Sequence, residues 1–158
     1  LTKELNEDQI DFLKQNGFEE ARLCGLDTTS RVYMVKKPKS SESIEHYFMM
    51  EVIAEEIRHY TKNVTTHQSI EPDVVFETEK DGVIERFAIE VETGSQTGDA
   101  FDLATKIEQN NTKFKEWWFL VTNKDAKPEY ETLHKTLRRT EIKPLIEKLL
   151  KKETNHGK

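Results

Sequence analysis

Apolar residues recur along this chain in two rhythms, one near the helical period and one alternating, and their order outlines a fold. Residues 6–16, NEDQIDFLKQN, carry apolar Ile10, Phe12 and Leu13 behind an Asn6 cap and two early acids, and Gly17 marks the exit. This pattern predicts a helix. Residues 21–38, ARLCGLDTTSRVYMVKKP, hold strand-like residues on both sides of a Gly/Asp/Thr/Ser turn, which predicts a hairpin. A polar stretch, KKPKSSES at 36–43, then reads as a linker.

Beyond the linker, Met49, Met50, Ile53, Ile57 and Tyr60 recur at helical spacing after serines able to cap, so IEHYFMMEVIAEEIRHYTK predicts a long amphipathic helix. NVTTHQSI comes next as a short β-branched strand, and residues 71–94, EPDVVFETEKDGVIERFAIEVETG, read as two strands around Asp81-Gly82. Ala100, Leu103, Ala104, Ile107 and Phe114 share one helical face, and WWFLVTN is a continuous apolar run expected of a strand buried on both sides. The C-terminal PEYETLHKTLRRTEIKPLIEKLLKK predicts helix broken near Pro144, with ETNHGK fraying beyond it. From residue 43 the expected order is helix, strand, strand, strand, helix, strand, helix. The expected fold class is α/β, a mixed central sheet flanked by helices.

Length and charge narrow the class. At 158 residues the chain can bury a real core in one compact domain. We expect a helix-and-hairpin appendage over 1–38, either the end of a winged helix or a decoration, and a main domain over 43–152. With 35% hydrophobic and 34% charged residues, a well-solvated cytoplasmic protein is expected. Cys24 is the one cysteine, which excludes an internal disulfide and fits a reducing compartment. No apolar run is long enough for a membrane span, so no membrane partner is expected. A net charge of −6 offers nucleic acid no general attraction, so contact would need a local basic face. Lys135, Arg138, Arg139, Lys143, Lys148, Lys151 and Lys152 form the concentrated basic region, interleaved with the Leu137, Leu145, Ile146, Leu149 and Leu150 stripe.

Candidate chemistry lies in residues 71–94. If Asp81 and Gly82 are the loop of a two-residue hairpin, Lys80 pairs with Val83, Asp73 falls opposite Glu90 and Glu71 opposite Glu92. Alternation then sets Glu90 and Glu92 on one face, with Phe87, Ile89 and Val91 on the other. Such a polar face ordinarily meets solvent. Against that, Asp73 comes directly after Pro72 at a strand start, and Lys106 on the next helix can bring an ammonium toward the same point. Carboxylates brought together without partners repel, and a cation removes the penalty; hard oxygen donors suit Mg²⁺ or Mn²⁺.

Pro72-Asp73 followed by Glu90-Val91-Glu92 inside an αβββαβ order resembles the PD-(D/E)XK nuclease superfamily, the restriction-endonuclease-like fold, over roughly residues 43–123. The resemblance implies Mg²⁺ held by Asp73, Glu90 and the carbonyl of Val91. Glu92 stands where the motif lysine is expected, and Lys106 is assigned as that lysine displaced onto the next helix. Glu51 or Glu55 would match an acidic residue of the first core helix. The order His46, Pro72-Asp73, Glu90-x-Glu92 and Lys106 also resembles replication-relaxation proteins of plasmids and conjugative elements. The resemblance implies metal-assisted phosphodiester hydrolysis on DNA, with protein partners from a DNA-transfer machinery. The alternative is an inactive module on the same fold that binds DNA or a partner protein.

Other candidates have plainer readings. His46 sits on the apolar face of its helix, where a hydrogen-bonded core histidine is expected. His59, His67 and His134 lack zinc spacing. Gln68 reads as a surface strand residue. Trp117 and Trp118 face opposite ways on a strand and are expected in the core rather than as a base-stacking platform. Gly94-Ser95-Gln96-Thr97-Gly98 lacks a P-loop lysine and reads as a turn.

Overall fold

A computed structural model describes residues 1–36, 43–67, 71–80, 82–94 and 100–151, for 100–102 the backbone alone. Residues 37–42 of the linker, Gln68, Asp81, Ser95 to Gly98, Lys152 and the terminal ETNHGK therefore lie outside the described residues.

A 3₁₀ turn at Thr2–Glu4 leads into α1, Glu7–Gln15. Asn6 caps α1 reciprocally with Gln9, each side chain bonding the other's backbone N–H, and Gly17 turns the chain out at φ 82°. The apolar residues of α1 find little cover: no residue of the helix is buried, and Phe12 is 65% exposed. The hairpin of β1 (Phe18–Cys24) and β2 (Ser30–Lys36) is antiparallel, as expected, and Asp27 closes its turn by accepting from Thr29 N–H and Arg31. It packs onto the main core through Leu26, which is buried, and Tyr33, whose ring lies 4.7 Å from Phe48.

The main body begins with α2, Ile44–Arg58, capped by Ser43. It ends before Tyr60, which stays exposed, so the apolar stripe stops at Ile57. The five-stranded sheet then runs β3 (Val64–Thr66), β4 (Val74–Lys80), β5 (Val83–Glu92), β6 (Glu116–Val121) and β7 (Thr136–Leu137), in that spatial order. The first three strands are antiparallel neighbours; β5, β6 and β7 are parallel. A crossover through α3 (Ala100–Lys113) joins β5 to β6, as a parallel connection requires. Helix α4 (Lys127–Leu133) joins β6 to β7, and α5 (Arg139–Leu150) closes the chain.

Three expectations are corrected here. The C-terminal segment is two helices with a two-residue strand between them, and α5 runs straight through Pro144. Ile142 and Ile146, both fully buried against the sheet, hold the helix there despite the missing N–H. Ala104 is exposed, so α3 packs by Leu103 and Ile107, with Phe114 just beyond it.

The two faces of the sheet bury different sets. Phe87, Ile89 and Val91 join Val74, Phe76, Trp118 and Leu120 beneath α2 and α5. Val75, Ala88, Trp117, Phe119 and Val121 join Phe114, Ala126 and Tyr130 beneath α3 and α4. Trp117 and Trp118 thus fill opposite sides of the core, each at most 5% exposed.

Candidate active site

The β4–β5 register is the one counted from the Asp-Gly loop: Lys80 pairs with Val83, and the ladder continues to Val74 opposite Ile89. Asp73 lies one step past the ladder's end, on the side of Glu90. The count does not carry on to Glu71, whose carboxylate pairs with Lys113 at 2.9 Å.

Asp73, Glu90 and Asn110 are the buried polar or charged residues among those described, the two acids at 7% and 4% exposure. Burial at that level is the opposite of a solvent-facing polar row, so each carboxylate demands partners. Asp73 Oδ1 lies 3.0 Å from His46 Nε2, and Asp73 Oδ2 accepts from the Val91 N–H at 2.7 Å. Glu90 Oε1 forms an ion pair with the Lys106 ammonium. Its other oxygen, Oε2, is buried with no hydrogen-bond partner among the described residues. Glu92, on the same face two residues on, accepts a hydrogen bond from the Tyr130 hydroxyl.

The electrostatics bind these groups into one site. Burial pushes the Glu92 carboxyl above its usual range; the Tyr130 hydrogen bond opposes this, Asp73's charge adds to it and His46 opposes it. Burial also pulls the Lys106 ammonium down, against the attraction of Asp73. Tyr130 is held well above the ordinary phenol range by burial and by Glu92.

Asp73, Glu90, Glu92 and Lys106 are therefore brought together. His46 belongs with them as well: its core hydrogen bond, expected from the helix pattern, is made to Asp73 itself. Glu51 and Glu55 do not come near; they pair with Arg58, and Glu51 also accepts from Thr66. The expected repulsion among unpartnered acids is largely answered by protein groups, a histidine, an amide, an ammonium and a phenol. Among the described residues no three His, Cys, Asp or Glu side chains group in a metal-ligating cluster. Tyr130 has no signal in the sequence beyond an aromatic in a helical segment, because its role depends on α4 folding back over the end of β5.

The C-terminal basic run is less free than its letters suggest. Lys135 pairs with Glu116, Arg139 with Glu45 and Lys143 with Glu56. No helix among the described residues is long and apolar enough to cross a membrane. Comparison with known proteins finds no matching family model, no similar curated protein and no similar solved structure. The fold and site define the class on their own terms: a mixed α/β domain with buried carboxylates at the end of its central hairpin.

Proposed function

We propose that this chain is a metal-dependent, DNA-processing nuclease-like domain of restriction-endonuclease-like architecture, hydrolysing phosphodiesters in a plasmid or mobile-element DNA-transfer system. The observation that carries the proposal is the joint burial of Asp73 and Glu90 beside the Lys106 ammonium, with Glu92 on the same face. The mixed sheet, three antiparallel strands followed by a parallel crossover, supports this reading.

The donors present suit Mg²⁺ or Mn²⁺, which prefer hard oxygens. Glu90 Oε2 in particular is a buried carboxylate oxygen lacking a partner, and a cation removes that cost. Asp73, Glu90 and the Val91 carbonyl would hold the ion. When bound, it supplies polarisation of the scissile phosphate and activation of water. Glu92, its carboxyl held above the usual range, orients the attacking water and accepts its proton. Lys106 donates toward the phosphate oxygens as negative charge develops on them.

Supercoiled plasmid and single-stranded DNA incubated with Mg²⁺ test this directly. Wild-type protein should cleave, and Asp73→Ala, Glu90→Ala and Lys106→Ala should each lose the activity. Equal products from all four proteins, or none from wild type, would overturn it. A second reading, an inactive module that binds DNA or a partner protein, is favoured by Asp73 having both oxygens engaged by His46 and Val91. In that case calorimetric titration of wild type with Mn²⁺ gives no binding heat.

A further inference from the structure

Next to the carboxylate site, walled in part by α4, the structure holds a cavity of about 660 Å³ that none of the chemistry above uses. Its cations are Lys124, Lys127, Arg138 and Arg139, against a single lining carboxylate, Glu131. For a chain of net charge −6 this is a local reversal of sign. Thr28, at the turn of the β1–β2 hairpin, closes one wall, so the appendage takes part in building the pocket.

Two of the four cations are already neutralised. Lys127 pairs with Glu131, and Arg139 with Glu45 at 2.6 Å, their side chains 13% and 14% exposed. Lys124 and Arg138 are exposed and make no ion pair among the described residues. Arg139 lines the same cavity, but its guanidinium is committed to Glu45 and its Nε is buried, so the open donors are those of Lys124 and Arg138. Two exposed cations lining one cavity, with no acid paired to either among the described residues, present a set of donors without acceptors. Phosphate oxygens are the acceptors that such a set fits best.

The pocket also adjoins the carboxylate site through covalent and hydrogen-bonded structure. Val121 and Thr122 line it, and the Thr122 N–H donates to the Glu92 carbonyl at 2.9 Å. Helix α4 serves both places, presenting Tyr130 to Glu92 and Lys127 to the cavity. Glu92 is the register partner of Val121, a residue of the cavity wall, so the cavity begins one strand away from the carboxylate site.

We infer that this cavity is a phosphate subsite, in which Lys124 and Arg138 hold a backbone phosphate of a nucleic-acid strand flanking the carboxylates. The inference rests on the nucleic-acid substrate proposed above and adds where that substrate's backbone is gripped.

Fluorescence anisotropy of labelled single-stranded and duplex oligonucleotides, without added metal, tests it on the whole chain. The double substitution Lys124→Glu with Arg138→Glu should weaken binding at least tenfold. A milder Lys124→Gln with Arg138→Gln pair should flatten the slope of log K against log salt by about one, for the one phosphate no longer neutralised. Lys62→Glu, an exposed lysine outside both the cavity and the C-terminal basic run, should leave binding unchanged. Wild-type binding that the pocket variants match would overturn the subsite and leave the nuclease proposal standing. Absence of any oligonucleotide binding by wild type would overturn the subsite as well. Binding that depends on the pocket, in a protein that cleaves nothing with Mg²⁺, would sustain the subsite and remove the nuclease proposal.

Discussion

The central sheet has two faces built from the same strands, and they solve opposite problems. Under α2 and α5, Phe76, Ile89, Leu120, Ile53 and Ile146 are fully buried and wholly apolar, with Phe76 and Phe87 stacked at 5.4 Å. Under α3 and α4, the same strands present Glu90 and Glu92 beside Ala88 and Phe119, and Asp73 sits at the strand entry. One face gains stability from removing hydrocarbon from water. The other accepts the cost of desolvating charge and recovers part of it through His46, Lys106, Tyr130 and a backbone amide. The difference teaches where to look for chemistry: a fold that needed only stability would have made both faces alike.

The contrast can be broken from its strong side first. Phe76→Ala on the dry face should cost about 3–5 kcal/mol, read as a lowered midpoint in urea, because it removes a large ring and leaves a cavity. Glu90→Ala on the polar face should cost less, about 1–3 kcal/mol, since Lys106 loses its partner yet keeps access to solvent. A Glu90→Ala loss equal to that of Phe76→Ala would mean that the carboxylate is structural.

Subtler substitutions sharpen the same comparison. Tyr130→Phe removes only the hydroxyl that Glu92 accepts, and about 1 kcal/mol of destabilisation is expected by urea unfolding. The smallest effect concerns pH. Glu92's carboxyl is raised in the folded protein, so the folded state holds its proton longer than the unfolded chain does. Stability from this group is therefore fullest below the unfolded value and falls as pH rises through the folded one. Glu92→Gln abolishes that titration and still accepts from Tyr130. Its stability relative to wild type should rise as pH climbs above the ordinary carboxylate range, and a difference independent of pH would show that Glu92 titrates normally.

How much of this is legible from the chain depends on the range of the forces involved. The β4–β5 register comes from an Asp-Gly loop and strict alternation, both local, and the Asn6 and Ser43 caps are local too. Strand β7 is not legible, because two residues carry no periodicity and Thr136–Leu137 is a strand only by pairing with β6. The helix through Pro144 is hidden for a related reason: local propensity forbids it, and burial of Ile142 and Ile146 outweighs propensity. The basic run reads in sequence as a free face, yet its acids, Glu45, Glu56 and Glu116, come from elements distant in sequence.

By itself, then, the sequence determined which residues alternate, where the chain turns and that Asp73, Glu90 and Glu92 approach one strand end, since backbone geometry alone places them. Tertiary structure alone decided that His46 meets Asp73, that Lys106 meets Glu90, that Tyr130 meets Glu92 and that Lys124 and Arg138 face one cavity. Those pairings join elements well separated along the chain. Only the packing of helices onto the sheet sets the distances and the burial on which their chemistry depends.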